Sequence, residues 1–103
     1  MSQEEQKYLE IGRSISGAVE SQMFGKPCFK INGKAFISFF NKDMVFKLSG
    51  EFHTIALCLP GAHLFDPSGR NRPMKKWVEV PFTHLSEWLD LAIESKNYVE
   101  QLR

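Results

Sequence analysis

Apolar positions change period along this chain. Between Ser2 and Met23, the residues Tyr8, Ile11, Ile15, Ala18, Val19 and Met23 recur at three- and four-residue steps, the period of a helix with one buried side. Ser2 and Glu5 have capping-box spacing, so the pattern predicts an amphipathic helix that Gly25 and Pro27 bring to an end. Gly12 falls on its apolar side, where glycine costs about 1 kcal/mol against alanine, a loss that close approach to another backbone would offset. From Cys28 to Leu48 the period drops to two and phenylalanine becomes frequent. Asn32-Gly33 suits a two-residue type I′ turn, which needs positive φ at both central positions. That turn would pair Ile31 with Lys34 and Phe29 with Phe36, placing Phe29, Ile31, Lys34, Phe36, Ser38 and Phe40 on one face. Cys28, Lys30, Ala35, Ile37 and Phe39 then take the other. For the next turn, a two-residue loop at Lys42-Asp43 sets Met44, Phe46 and Leu48 beside Ile37 and Phe39, whereas a three-residue loop turns them over. The first gathers one almost unbroken apolar face, as a sheet covered by helices on one side requires.

Beyond the meander, Ser49 is a candidate cap for a short helix with Phe52, Ile55, Ala56 and Leu59 inward, stopped by Pro60-Gly61. His63-Leu64-Phe65 reads as a fourth strand, and Asp66-Pro67-Ser68-Gly69 has the residue order of a type I turn. Trp77 to Val80 alternate and are bounded by Pro81, which predicts a fifth strand at a sheet edge. Thr83 would cap a last helix with Leu85, Trp88, Leu89, Ala92, Ile93 and Val99 inward and Glu87, Asp90 and Glu94 outward. The expected class is α+β: an antiparallel sheet of about five strands with an N-terminal, a short middle and a C-terminal helix packed mainly on one face. Residues 1–103 form one domain, of a size that buries roughly 65% of its unfolded surface.

Composition narrows function by exclusion. With 43% hydrophobic and 24% charged residues the chain is an ordinary globular protein. A net charge of +1 creates no long-range field toward nucleic acid or anionic lipid, so any basic site is local. Cys28 and Cys58 sit in apolar runs without metal-type spacing and read as small buried residues of a reducing compartment. The acidic N-terminus lacks the features of a signal peptide, and no apolar run approaches the ~20 residues of a membrane span. The expectation is a cytoplasmic protein with no membrane partner.

Three segments carry a family likeness: Met23-Phe24-Gly25, the turn Asn32-Gly33-Lys34-Ala35-Phe36, and Arg72-Pro73-Met74-Lys75-Lys76-Trp77-Val78-Glu79-Val80-Pro81. Together they resemble the N-terminal-domain family of the TfoX/Sxy competence regulators, and the order of elements resembles the related MmcQ/YjbR-like proteins. The resemblance implies a compact domain with helices packed on an antiparallel sheet, with nucleic-acid binding or transcriptional regulation as the associated roles and no enzymatic residues. The helical domain that follows in the competence regulators has no counterpart in this sequence, so a competence role does not carry over.

Two surfaces are candidates. Arg70, Arg72, Lys75 and Lys76 fall within seven positions and suit phosphate contacts, with Lys34 and Lys47 as helpers. The alternative is a solvated loop that keeps an edge strand from aggregating. The less apolar sheet face, with Phe29, Ile31, Phe36 and Phe40, would stack single-stranded bases, form a homodimer or protein interface, or lie under a helix. His53, His63 and His84 have no ligand spacing, and no phosphate-binding glycine loop, nucleophile motif or cofactor fingerprint is present, so no catalytic, metal or cofactor residue is assigned. Glu79 beside Trp77 is the carboxylate to watch, and an enzyme would need a pocket gathering His63, Asp66 and Glu79. The expected function is therefore a binding domain for nucleic acid or another protein.

Overall fold

The computed structural model describes residues 2–102. Its elements are α1 (Gln3–Ser14), β1 (Val19–Met23), β2 (Lys26–Ile31), β3 (Lys34–Phe40), β4 (Asp43–Lys47), α2 (Gly50–Leu57), β5 (His63–Phe65), β6 (Met74–Val80) and α3 (Leu85–Glu100). All strand pairs are antiparallel, in the spatial order β1-β2-β3-β4-β6-β5. The α+β class and its three helices are as the sequence indicates, with six strands in place of five. No helix among the described residues is long and apolar enough to cross a membrane.

The sixth strand comes from the stretch expected to end the first helix. Ser2 accepts from the Glu5 amide as a cap, but α1 stops at Ser14, whose hydroxyl donates to the Ile11 carbonyl at 2.7 Å and draws that carbonyl away from the helical ladder. Gly17 then takes φ 86°, and Arg13 clamps Glu20 at 2.8 Å across the reversal. Val19 to Met23 are thereby freed to pair with β2. Phe24-Gly25 is a hairpin turn, and Pro27 sits inside β2.

Helix-side packing follows from the sheet register. Phe29 pairs with Ile37 and Lys30 with Ala35, leaving Phe36 as the extra residue of a β-bulge. The bulge turns Phe36 to the same side as Ile37 and carries Phe29 and Ile31 with it. All four lie in the main core with Tyr8, Met44, Phe46, Leu48, Val78, Val80 and Trp88. Of the alternatives for that face, burial under the helices holds for Phe29, Ile31 and Phe36, which corrects their assignment to an interface or a stacking surface; Phe40 alone of that set lies on the opposite side with Ala35 and Val45. The second turn is Asn41-Lys42, pairing Phe40 with Asp43 and Phe39 with Met44. It lies one residue earlier than expected yet keeps Met44 and Phe46 on the side of Ile37.

The side of the sheet without helices is not flat. Ring centroids of Phe40 on β3 and Phe65 on β5 lie 5.3 Å apart, although two strands separate them. In a flat sheet at about 4.8 Å per strand they would be about 14 Å apart, so the sheet curls into a trough. Val45, Phe65 and Trp77 form a second buried cluster there, edged by Met23, Phe40 and Met74. Strand β6 is interior and β5 is the edge, because the sequence pattern of Trp77–Val80 reports burial on both sides and not a free edge.

Candidate functional site

The loop between β5 and β6 is built on Asp66. Its carboxylate accepts from the Ser68 amide at 3.1 Å, the Ser68 hydroxyl at 2.6 Å, the Gly69 amide at 3.2 Å and the Arg72 amide at 3.0 Å. The Ser68 hydroxyl, followed by these backbone donors, holds the Asp66 carboxyl below its ordinary range. Gly69 also donates to the Asp66 carbonyl at 3.3 Å, closing the turn read from the sequence. The loop's inward amides are therefore occupied by its own carboxylate, and its cationic side chains are left for whatever lies outside. His53 joins the Lys75 carbonyl at 2.7 Å and ties the end of the loop to α2.

The six basic residues singled out from the sequence do not form one cluster. Arg70, Arg72 and Lys75 are exposed, and among the described residues none of the three is within ion-pair distance of a carboxylate. Lys76 is exposed but donates to the Ser49 hydroxyl at 3.1 Å. Lys47 lies in the trough with its ammonium 5.9 Å from the Trp77 ring centroid, and Lys34 pairs with Ile31 on the helix side, two strands from β6.

Facing the loop is a feature the sequence pattern hid. The curl of the sheet brings the β1–β2 turn against the loop, and Phe24, Lys26, Pro67, Ser68 and Met74 line a groove of about 460 Å³ between them. Phe24 is 65% exposed and sits at φ 53°, with Gly25 at φ 74°. Both central residues of this turn thus have the positive φ of a type I′ turn, a conformation that costs an L-residue of this bulk about 1–2 kcal/mol. Asn32-Gly33 solves the same turn with the favoured pair. Neither packing nor turn chemistry accounts for a phenylalanine here. Lys26, on the inner side of the groove, stands 5.1 Å from the Phe40 centroid. A Phe-Gly pair just ahead of the β2 run was the available signal, masked by the apparent helical period reaching Met23.

No family model, curated protein or solved structure matches the chain.

A second polar constellation lies in the trough. Glu79 is 4% exposed, pairs with Val45 on one side and His63 on the other, and its Oε1 is 3.3 Å from His63 Nε2. Burial, then the neighbouring Asp43 carboxyl, pushes the Glu79 carboxyl up to about 8. The His63 Nδ1 faces the Gly61 carbonyl at 3.2 Å, which can only accept, so Nδ1 is the donor there and Nε2 is the ring nitrogen that faces Glu79. Of the three residues an enzyme would need together, His63 and Glu79 meet, while Asp66 is turned into its own loop. The arrangement is a buried carboxyl on β6 within reach of an imidazole on β5. Cys28 is buried and Cys58, expected inside, is exposed at the end of α2. Among the described residues no group of three or more His, Cys, Asp or Glu side chains is gathered as for a metal ion.

Proposed function

We propose that this protein is a non-enzymatic binding module for single-stranded nucleic acid, gripped where the β1–β2 turn faces the β5–β6 loop. The observation that carries this is Phe24, an exposed aromatic ring kept in a strained turn beside a loop whose Arg70, Arg72 and Lys75 pair with no carboxylate among the described residues. A base can stack on that ring, while Arg70, Arg72 and Lys75 reach the flanking phosphates. Asp66 supports this by ordering the loop before any ligand arrives, so little chain entropy is lost on binding. Two of the three segments that resemble the TfoX/Sxy N-terminal domain also meet here, since Phe24 and Met74 line one groove and Met23 and Met74 pack in one cluster.

The test is fluorescence anisotropy with a labelled 12-nucleotide single strand at several salt concentrations. Three to four phosphate contacts give a slope of log affinity against log salt of about −2 to −3, or roughly 20- to 50-fold weaker binding between 50 and 200 mM salt. Replacing Arg72 by alanine should lower the slope by about 0.7. Phe24→Asn should weaken binding about 5- to 100-fold with the slope unchanged, because stacking carries no counterion release. A slope near zero, or a Phe24→Asn protein that binds like the parent, would refute the assignment.

A further inference from the structure

The helices leave an apolar groove of their own. Phe52 and Ile55 of α2 face Leu91 and Ile93 of α3 across a depression of about 290 Å³. It continues, past Phe52 and Glu94, into a second depression of about 210 Å³ that ends at Tyr98 and Gln101. Ile55 is 46% exposed, and Phe52 and Ile93 are 39% exposed each. Of the α2 residues whose spacing points inward, Ala56 alone is fully buried. Adjacent large apolar side chains on two neighbouring helices form a contiguous patch, which on a protein surface marks a place where something docks.

Charge selects the occupant. Glu87, Asp90 and Glu94 rim the groove, and no lysine or arginine lines either depression. Neither long helix of a second copy offers a basic complement. The helix α1 sets Glu4, Glu5 and Glu10 against Lys7 and Arg13, and α3 sets Glu87, Asp90, Glu94 and Glu100 against Lys96. Like-charge apposition of two such grooves is unfavourable, and the same rim repels anionic lipid and nucleic-acid phosphate. From Glu87 to Gln101 an α-helix advances about 21 Å, room for a partner helix of about fourteen residues. We infer that the α2–α3 groove docks an amphipathic helix of another protein, apolar on one side and flanked by lysine or arginine, which seats its apolar stripe on Phe52, Ile55 and Ile93 and pairs its cations with Glu87, Asp90 and Glu94. The site lies on the helical face and stands independently of the nucleic-acid groove. Its recognition mode is helix-in-groove, with apolar anchors for affinity and rim charges for choice of partner.

The experiment titrates the isotope-labelled full chain with two end-blocked fourteen-residue peptides of the same amphipathic pattern, one of leucine and lysine, the other of leucine and glutamate. Amide chemical shifts report site and affinity together. The leucine-lysine peptide is expected to bind saturably, with shifts confined to residues 49–57 and 87–101, and at least about tenfold tighter than its acidic counterpart. Replacing the exposed Glu87 and Asp90 together by lysine should reverse that preference, and Ile55→Ser should weaken both peptides. Both variants change exposed positions, and their unperturbed spectra elsewhere check that they fold. Equal affinity for the two peptides, shifts scattered over other surfaces, or a preference that survives charge reversal would overturn the inference. So would a concentration-dependent dimer without peptide whose contacts map to the groove, which would assign the surface to a second copy.

Discussion

Gly12→Ala sets two physical effects against each other. In an isolated helix the change stabilises by about 1 kcal/mol, because alanine loses less backbone entropy. In this protein a Cβ on Gly12 would fall within the ring of Phe29, against its Cε2, Cζ and Cδ2 atoms. That ring is buried and held from another side by Tyr8, edge-on with centroids 5.3 Å apart, so it cannot swing clear without disturbing the core. Overpacking of this kind costs about 1–3 kcal/mol, and overlap with three ring atoms places it at the upper end. The balance is a net loss of about 2 kcal/mol, or roughly 10 °C in melting temperature for a domain of this size. Thermal and urea unfolding followed by circular dichroism would measure it. The decisive arm is the double-mutant cycle with Phe29→Leu. With the ring shortened, Gly12→Ala should become neutral or stabilising by up to about 1 kcal/mol, a coupling of about 2–3 kcal/mol between the sites. If Gly12→Ala is stabilising in the parent, or equally harmful in both backgrounds, the close approach of helix to ring is not what keeps the glycine.

Other outcomes follow from the same geometry. Glu79 has a folded-state pKa near 8 against an ordinary 4.5, so the folded protein binds the extra proton between those values and its stability should fall as pH rises from about 4.5 to about 8, then level off. Glu79→Gln should flatten that part of the profile and be the more stable protein at pH 8.5, as urea midpoints would show; parallel profiles would refute it. The Tyr8 hydroxyl is buried with no hydrogen-bond partner among the described residues, so Tyr8→Phe should raise stability by about 1 kcal/mol, and a comparable loss would reveal a missed partner. Asp66→Ala should speed amide exchange at Ser68, Gly69 and Arg72 while leaving the melting temperature nearly unchanged; unchanged exchange would mean that the loop is ordered by something else. Phe24→Asn should stabilise the fold by about 1 kcal/mol as it weakens nucleic-acid binding, since asparagine accepts the positive φ that phenylalanine resists.

What was legible in the sequence was whatever a local rule decides. Asn32-Gly33 sits at a positive-φ turn because its two residues alone favour that geometry, and Met44 and Phe46 face the helices because only that facing gathers them with Ile37 and Phe39 into one apolar side. The bulge at Phe36 was not legible, because nothing in KAFIS distinguishes a strand with an extra residue from one without. The choice is made by the helix layer, which gains both Phe36 and Ile37 as core when the strand kinks. That one residue reverses the facing of Phe29 and Ile31, and with it the expectation of an aromatic binding face. The curl has the same non-local origin: it closes the trough over Val45 and Trp77 and sets Phe24 against the β5–β6 loop, a proximity between residues more than forty positions apart that no window of sequence contains. Arg70, Arg72 and Lys75 were visible as cations in a row, but their availability rests on Asp66 spending its carboxylate on backbone amides and not on guanidinium groups. Phe24 is the reverse case. Local preference and global fold agree at the other glycine-containing hairpin turn, and where they disagree without any gain in packing, the disagreement is best explained by what the exposed side chain contacts outside the protein.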